Sequence, residues 1–316
     1  MLDHAKIAVI GAGPAGLACA TSLRAHGVRA TIYEKSRGIG GRVATRRRNG
    51  FQFDHGAQFL WVDADDPVLA AARGAGGAAP WGAAVTDDGV VPWVGTPRMK
   101  DVLRPLAAGY EIRFSSEVVG LLRKSAGWSV ETTDGAEIYA SVAIAAPAPQ
   151  ILRFLDGGEH ALRHTLARVA FEPSHALMIA FDERPNWPDI IRDPPGPFAL
   201  LVRDTSKPGR LAPPETFVAH TTPAWSAGWV DADAGAICEE LKSALRTAMG
   251  PLPTVLYASA HRWRFSQAIE PLGAPFAATT DGSVLAGGDW ALGRNIEQAL
   301  QSGRAMAQSI MERLGD

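Results

Sequence analysis

KIAVIGAGPAGLACATSLRAHGVRATIYEKSRGIGGR, residues 6–42, is the stretch that decides the fold. The apolar run Ile7 to Ile10 reads as a strand, Gly11 to Gly16 as a tight turn, the segment to His26 as an amphipathic helix, and the run ending at Glu34 as a second strand. Three glycines answer three demands: a turn too sharp for a Cβ, a backbone close enough to touch a pyrophosphate, and a helix seated tightly on its strand. The pyrophosphate belongs at the helix N-terminus, among Gly11, Gly13, Pro14, Ala15 and Gly16, where unpaired N–H groups and the positive dipole end converge. Glu34 stands where a carboxylate accepts hydrogen bonds from ribose hydroxyls. Such a unit holds NAD or FAD and does not itself choose between them.

At 316 residues the chain exceeds one average domain, and 47% hydrophobic content supports a real core. A formal net charge of −2 gives no field that would recruit nucleic acid or a membrane surface. The two cysteines, Cys19 and Cys238, argue against a disulfide framework or a cysteine-ligated metal and fit a reducing compartment. The first apolar segment is broken by Gly11, Gly13 and Pro14, so it is no secretory signal, and no run is long enough for a spanning helix. The expectation is a soluble, cytoplasmic protein without metal; its oligomeric state is open.

Beyond Arg42, the cluster Arg46, Arg47, Arg48 reads as a solvated turn, with an electropositive lip for a phosphorylated substrate as the sharper alternative. Phe51 to Trp61 alternates like a strand and passes Gly56, Ala57, Gln58 and Phe59, small residues that let a flat ligand approach. Asp63 to Val94 reads as an insertion over the ring, and Gly74 to Gly77, lacking a preceding strand, as a loop and no second nucleotide site. A helix is expected from Met99 to Ala107, a strand over Glu111 to Phe114, a meander over Val118 to Ala140 turning at Asp134-Gly135, and a return strand at Val142 to Ala146. Pro147 and Pro149 then mark a crossing between domains.

The second domain follows by elimination. Strands are expected at His175 to Phe181, Phe198 to Val202, Thr216 to His220 and Val255 to His261, with a helix from Asp233 to Met249: an antiparallel sheet covered on one face. Gly282 to Gly288 supplies a last strand and Asn295 to Leu314 a long helix, whose N-terminus can point donors at a bound ring. The fold class is thus α/β, a Rossmann-type nucleotide domain (1–62, 96–149 and 275–316) with an α+β substrate domain (63–95 and 150–274).

KSRGIGGR, directly after the ribose carboxylate, looks like the two-dinucleotide-binding-domain flavoproteins, which favours FAD. GAGPAG, KSRGIGGR, HGAQF, WVGTPRM, IAAPAPQ, SKPGR, AHRW and GGDW together resemble, in order and spacing, the bacterial renalase-like flavoproteins, a branch of the flavin amine oxidase superfamily. The resemblance implies a p-hydroxybenzoate-hydroxylase-like fold, noncovalent FAD, and oxidation of 2- or 6-dihydroNAD(P), with O2 reoxidising the flavin to give hydrogen peroxide. The expected cofactor contacts are the first glycine turn, Glu34, Lys35, Gly40, Gly41, Arg42, Gln58, Val118, Gly288, Asp289, Asn295 and Ile296. Gln298 and Phe59 depart from the family pattern, which more often has a small residue and, in some members, tyrosine.

Hydride loss from a dihydropyridine yields an aromatic cation, so no catalytic base is needed. The protein must hold two flat rings face to face and exclude water. Candidate pocket residues are Gln58, Phe59, Trp61, His175, His220, Trp225, His261, Trp263, Phe265 and Trp290, each tryptophan having core packing as its alternative. A flavin amine oxidase acting on a small amine would use the same fold, often with a lysine-held water near the flavin. None of Lys6, Lys35, Lys100, Lys124, Lys207 and Lys242 is marked by its sequence for that place. A non-catalytic FAD-binding module is the third reading.

Overall fold

The computed structural model describes residues 6–315. Its described residues divide into two compact units, 6–41 with Leu103–Ala170 and 268–315, and Arg42–Val102 with Phe171–Gln267.

In the first unit, apolar runs too short to pack alone become the interior of a six-stranded sheet. Its order is Ala277–Ala278, Val284–Ala286, Ser141–Ile144, Ile7–Ile10, Ala30–Glu34 and Ile112–Phe114. All neighbours are parallel except the short Ala277–Ala278 edge. Ile7–Ile10 is buried along its whole length, as a central parallel strand with both faces covered must be. The helix Pro14–Ala25 makes the crossover to Ala30–Glu34, and the terminal helix Ile296–Gly315 packs beside it. There a Cβ on Gly303 would lie 2.1 Å from the Ala15 carbonyl oxygen, so only glycine permits the approach. Val118–Lys124, Gly127–Thr132 and Gly135–Tyr139 form the expected antiparallel meander.

Four differences from the sequence reading arise here. Pro149 opens a short helix, Ala148–Ile151, because a proline in the first helical turn removes only an N–H that would have no partner. This unit then continues through the helix His160–Ala167 to Ala170 and resumes at Ala268, so neither 150–170 nor 268–274 falls with the second unit. Residues 42–62 and 96–102 conversely belong to the second unit. The expected helix over Met99 to Ala107 is two short pieces, Met99–Leu103 and Arg104–Ala107, with Pro105 in the first turn of the latter.

The second unit is built on a five-stranded sheet, ordered Ile190–Arg192, Phe198–Arg203, Glu215–Thr221, Phe171–Phe181 and Val255–Ala268. Alternation along Phe171–Phe181 sorts its faces. Leu177, Ile179 and Phe181 pack with Leu241 and Leu245 of the helix Ala234–Met249, whereas Ala176, Met178 and Ala180 pack with Phe53. Phe53 comes from a hairpin pairing Thr45–Arg48 with Phe51–Asp54, so the arginine cluster is a strand and not the solvated turn expected. The strand read over Phe51 to Trp61 ends at Asp54, and Gly74 closes the helix Pro67–Gly74, so the loop expected from Gly74 begins one residue later and runs over 75–77. No helix of the described residues is long and apolar enough to cross a membrane.

Candidate functional site

The glycine turn in the first unit has the form that the sequence demands. Gly11 adopts φ +104°, and a Cβ there would lie 2.5 Å from the Ala145 carbonyl oxygen; one on Gly16 would lie 1.9 Å from the Gly11 carbonyl oxygen. Gly13 differs. Its backbone is extended, with φ −84°, and a Cβ would meet nothing nearer than the Gly40 carbonyl oxygen at 4.0 Å. The protein therefore leaves open the space in front of Gly13. Gly13 caps a helix that has Pro14 in its first turn, no capping side chain and no acidic residue there, which leaves first-turn amides for an anion.

Gly40 of the second glycine pair donates its amide to the Ala12 carbonyl at 3.0 Å, and Gly41 lies against Gly13. Glu34 is buried, and its two carboxylate oxygens accept from Ala12 N at 2.8 Å and Ser36 N at 2.7 Å. Each oxygen keeps a lone pair for a ribose hydroxyl. A cradle with an open face, an uncapped helix end and a fixed carboxylate fits a dinucleotide such as FAD.

Other expected cofactor contacts are placed as follows. Lys35 donates to Gln150 Oε1 at 3.0 Å. Val118 is buried where the meander begins. Gly288, at φ +154°, donates its amide to Ser302 Oγ, and Asp289 beside it is buried. Asn295 and Gln298 form a reciprocal cap: Asn295 Oδ1 accepts from Gln298 N, and Gln298 Oε1 accepts from the amides of Arg294 and Asn295. That gives Gln298 its structural task, and the helix proper starts at Ile296. Trp290, expected as a pocket wall, has no exposed surface. Its indole donates to the Ala146 carbonyl at 3.0 Å, which makes it a core residue of the first unit.

The second unit gathers most of the remaining candidates. His55 stacks on Trp263 with centroids 5.2 Å apart, and His261 stands edge-on to both, at 4.8 and 4.4 Å. Trp263 donates to the His55 carbonyl, and Arg46 Nη2 lies 3.2 Å from His261 Nδ1. Arg42, expected at the pyrophosphate, has Nη1 donating to the Ser266 carbonyl at 2.8 Å. Phe59 packs with Trp61 and Trp81, Phe265 with Phe171, and Trp225 with Trp229 and His175. His175 is fully buried, with neither ring nitrogen bonded, and so offers no exposed edge as a polar anchor.

Beneath Gln58 lies a group that the sequence reading missed. Lys207, with no exposed side-chain surface, reaches Asp204 at 2.7 Å, Gln58 Oε1 at 2.9 Å and Asp54 at 3.4 Å, while Arg210 pairs with Asp54. Two carboxylates and two cations balance. Burial works to raise the Asp54 pKa, but Lys207 and Arg210 hold it below the usual carboxylate range. Burial, then the Asp54 charge, push Asp204 up. His55 was also missed as a site residue, although its word HGAQF was quoted. The signal available was the acid-histidine pair Asp54-His55 and the Asp204, Lys207, Arg210 spacing in the segment containing SKPGR.

Burial above all holds the histidines neutral: His55 falls to about 3, His220 and His261 to about 4. A histidine whose folded pKa lies below its unfolded value of 6.5 stabilises fully above pH 6.5 and loses that contribution as pH falls towards the folded value. Thermal melts should therefore show stability falling from pH 6.5 to about 5, a range above the ordinary carboxylate pKa values. A flat profile across that window would contradict the burial of these rings.

Residues 9–73 match the family described as NAD(P)-binding Rossmann-like domain, and residues 86–311 match flavin containing amine oxidoreductase. A 4,4'-diapophytoene desaturase from Staphylococcus haemolyticus is 46% identical over 56 residues, which is 18% of this chain and only 11% of the desaturase. Cyclohexylamine oxidase from Brevibacterium oxydans superimposes with TM-score 0.77 at 12% identity, over 99% of this chain and 100% of that one. Putrescine oxidase gives TM-score 0.71 at 14% identity, over 98% and 99%. At such identities the last two establish a shared fold.

Proposed function

This chain belongs to the family of flavin containing amine oxidoreductases, and from that premise we propose that it is an oxidase of the renalase-like kind, taking a hydride from 2- or 6-dihydroNAD(P) and giving hydrogen peroxide from O2. The cofactor is FAD. Its attachment in this reading is noncovalent, since both cysteines lie buried in helices. We assign the second unit the substrate chemistry.

One observation carries the reading: a flat, neutral aromatic group sits beside fixed cations. His55, His261 and Trp263 pack together, Arg46 is bonded to His261, and Arg47 and Arg48 are exposed on the same strand. A dihydronicotinamide dinucleotide brings a flat ring and a pyrophosphate to match. An ammonium substrate would meet like charge. When bound, FAD supplies a two-electron acceptor that O2 can reoxidise. The residues of the chain then need only hold the ring flat and keep water away, because the substrate surrenders hydride without losing a proton. Histidines held neutral by burial suit that task better than they suit proton abstraction.

Oxidation of a small amine is the second reading, favoured by a lysine buried beneath Gln58. Mixing the yellow protein anaerobically with each substrate class separates the two. Rapid bleaching by 2- or 6-dihydroNAD(P), and none by putrescine or cyclohexylamine, is the expected result; bleaching by the amines alone would overturn the proposal.

A further inference from the structure

The five-stranded sheet is least covered at its Ile190–Arg192 edge. Ile191, Leu201 and Ala219 stand side by side across three strands and pack on the face covered by Ala234–Met249. Side chains alternate along a strand, so Arg192, Leu200 and His220, which are paired in the same way, point to the opposite face. Cover on that face thins towards the edge: Ala176 is buried against Phe53, His220 lies 2.9 Å from Gln58, Leu200 is half-buried, and Arg192 is exposed. Phe59 and Trp61, both half-buried and edge-on to each other at 5.3 Å, flank the same place, because the Arg192 guanidinium lies over Phe59 at 5.7 Å from its centroid. Among the described residues that guanidinium has no hydrogen-bond or ion-pair partner, and Asp189, just before the strand, is taken by Arg184 and Arg203. Contact with the ring uses its charge and spares its five N–H donors.

We propose that Arg192 is an anion anchor for a phosphate, and that in the substrate this phosphate is the one on the 2′-oxygen of the adenosine half, so that dihydroNADP is preferred to dihydroNAD. A guanidinium grips a phosphate through two parallel hydrogen bonds, and the aromatic pair beside it gives a purine a face on which to stack. The place on the sheet agrees. The flat group assigned to the nicotinamide ring includes His261 on Val255–Ala268, the opposite edge strand and four strand spacings from Ile190–Arg192, about 19 Å. A nicotinamide half alone does not bridge that span, whereas an extended dinucleotide brings its adenosine end towards Arg192. The identity of the phosphate rests on the function proposed above; the anchor does not.

Binding without chemistry tests the anchor. Holoprotein titrated calorimetrically with 2′-phospho-ADP-ribose and with ADP-ribose should bind the first about tenfold more tightly or better, the gain expected for a charged hydrogen-bonded pair. In Arg192→Gln that preference should fall to near one, because only the phosphorylated ligand loses its partner, and Arg192→Lys should restore part of it as a point charge without the fork. Arg192 is exposed, so both variants should fold. No binding of either ligand to wild type, equal affinity for the two, or a preference kept in Arg192→Gln would overturn the anchor. The ratio of kcat/KM for dihydroNADP over dihydroNAD should fall in Arg192→Gln by the same factor, chiefly through KM. A calorimetric preference with no matching kinetic one would overturn the assignment to the substrate. If neither dihydronicotinamide bleaches the wild-type flavin while the calorimetric preference stands, the proposed reaction falls and the anchor does not.

Discussion

A Gly13→Ala variant folds and carries no flavin. Of the three glycines in the turn, Gly13 alone separates the demands of folding from those of binding. Alanine at Gly11 would have to adopt φ +104° with its Cβ 2.5 Å from a carbonyl oxygen, and at Gly16 the methyl would lie 1.9 Å from another, so either change damages the turn itself. At Gly13 the backbone is extended and the nearest protein atom is 4.0 Å away, so a methyl costs the fold almost nothing. The methyl fills the space through which a pyrophosphate reaches the uncapped amides of Pro14–Ala25. FAD affinity should fall by about a hundredfold or more, equivalent to ~3 kcal/mol, while circular dichroism and the melting temperature stay near wild type. A yellow variant with the wild-type ratio of flavin to protein would show that the ligand does not pass Gly13.

What the sequence made legible was local. The order of strand, turn and helix over Ile7–Glu34, the hairpin at Asp134-Gly135 and the helix capped by Asp233 are each specified within a few residues of themselves, and each is present. Four strands of the second sheet were legible, although Phe171–Phe181 and Val255–Ala268 run beyond the stretches assigned to them, and the edge strand Ile190–Arg192 was not. Burial and partnership were not legible, because they depend on residues far apart in the chain. Trp290 and His175 read as pocket residues from their types, yet both are sealed by packing. Lys207 was one of six lysines with nothing in its sequence to mark it, and Arg210 only the end of the word SKPGR, until Asp54, about 150 positions earlier, is brought against them. Arg46 read as one charge in a solvated run because nothing near it in the chain announces His261.

Substituting Lys207 with methionine should be the most destabilising single change in the second unit. Methionine keeps much of the volume but leaves the buried carboxylates of Asp54 and Asp204 with Arg210 as the remaining cation of the group. Removing one partner from a buried ionic group typically costs about 3–5 kcal/mol. The two acids will not share the loss equally. Asp54 retains Arg210, the Thr45 hydroxyl and the Met99 amide, so it stays ionised. Asp204, already raised by burial and by Asp54, loses its closest cation and takes up a proton on folding. A carboxyl whose folded pKa is raised above its unfolded value stabilises fully below the unfolded value and loses that contribution as pH rises through the folded one. The deficit of Lys207→Met relative to wild type should therefore be smaller at pH 5.5 than at pH 8. Making Asp204 permanently neutral removes the uncompensated charge, so Asp204→Asn/Lys207→Met should recover a substantial part of the loss. Urea titrations at both pH values check this; a single variant within about 1 kcal/mol of wild type, less than a buried unpaired charge costs, or a double variant no better than the single, would mean that the Lys207 ammonium does not hold these carboxylates in place.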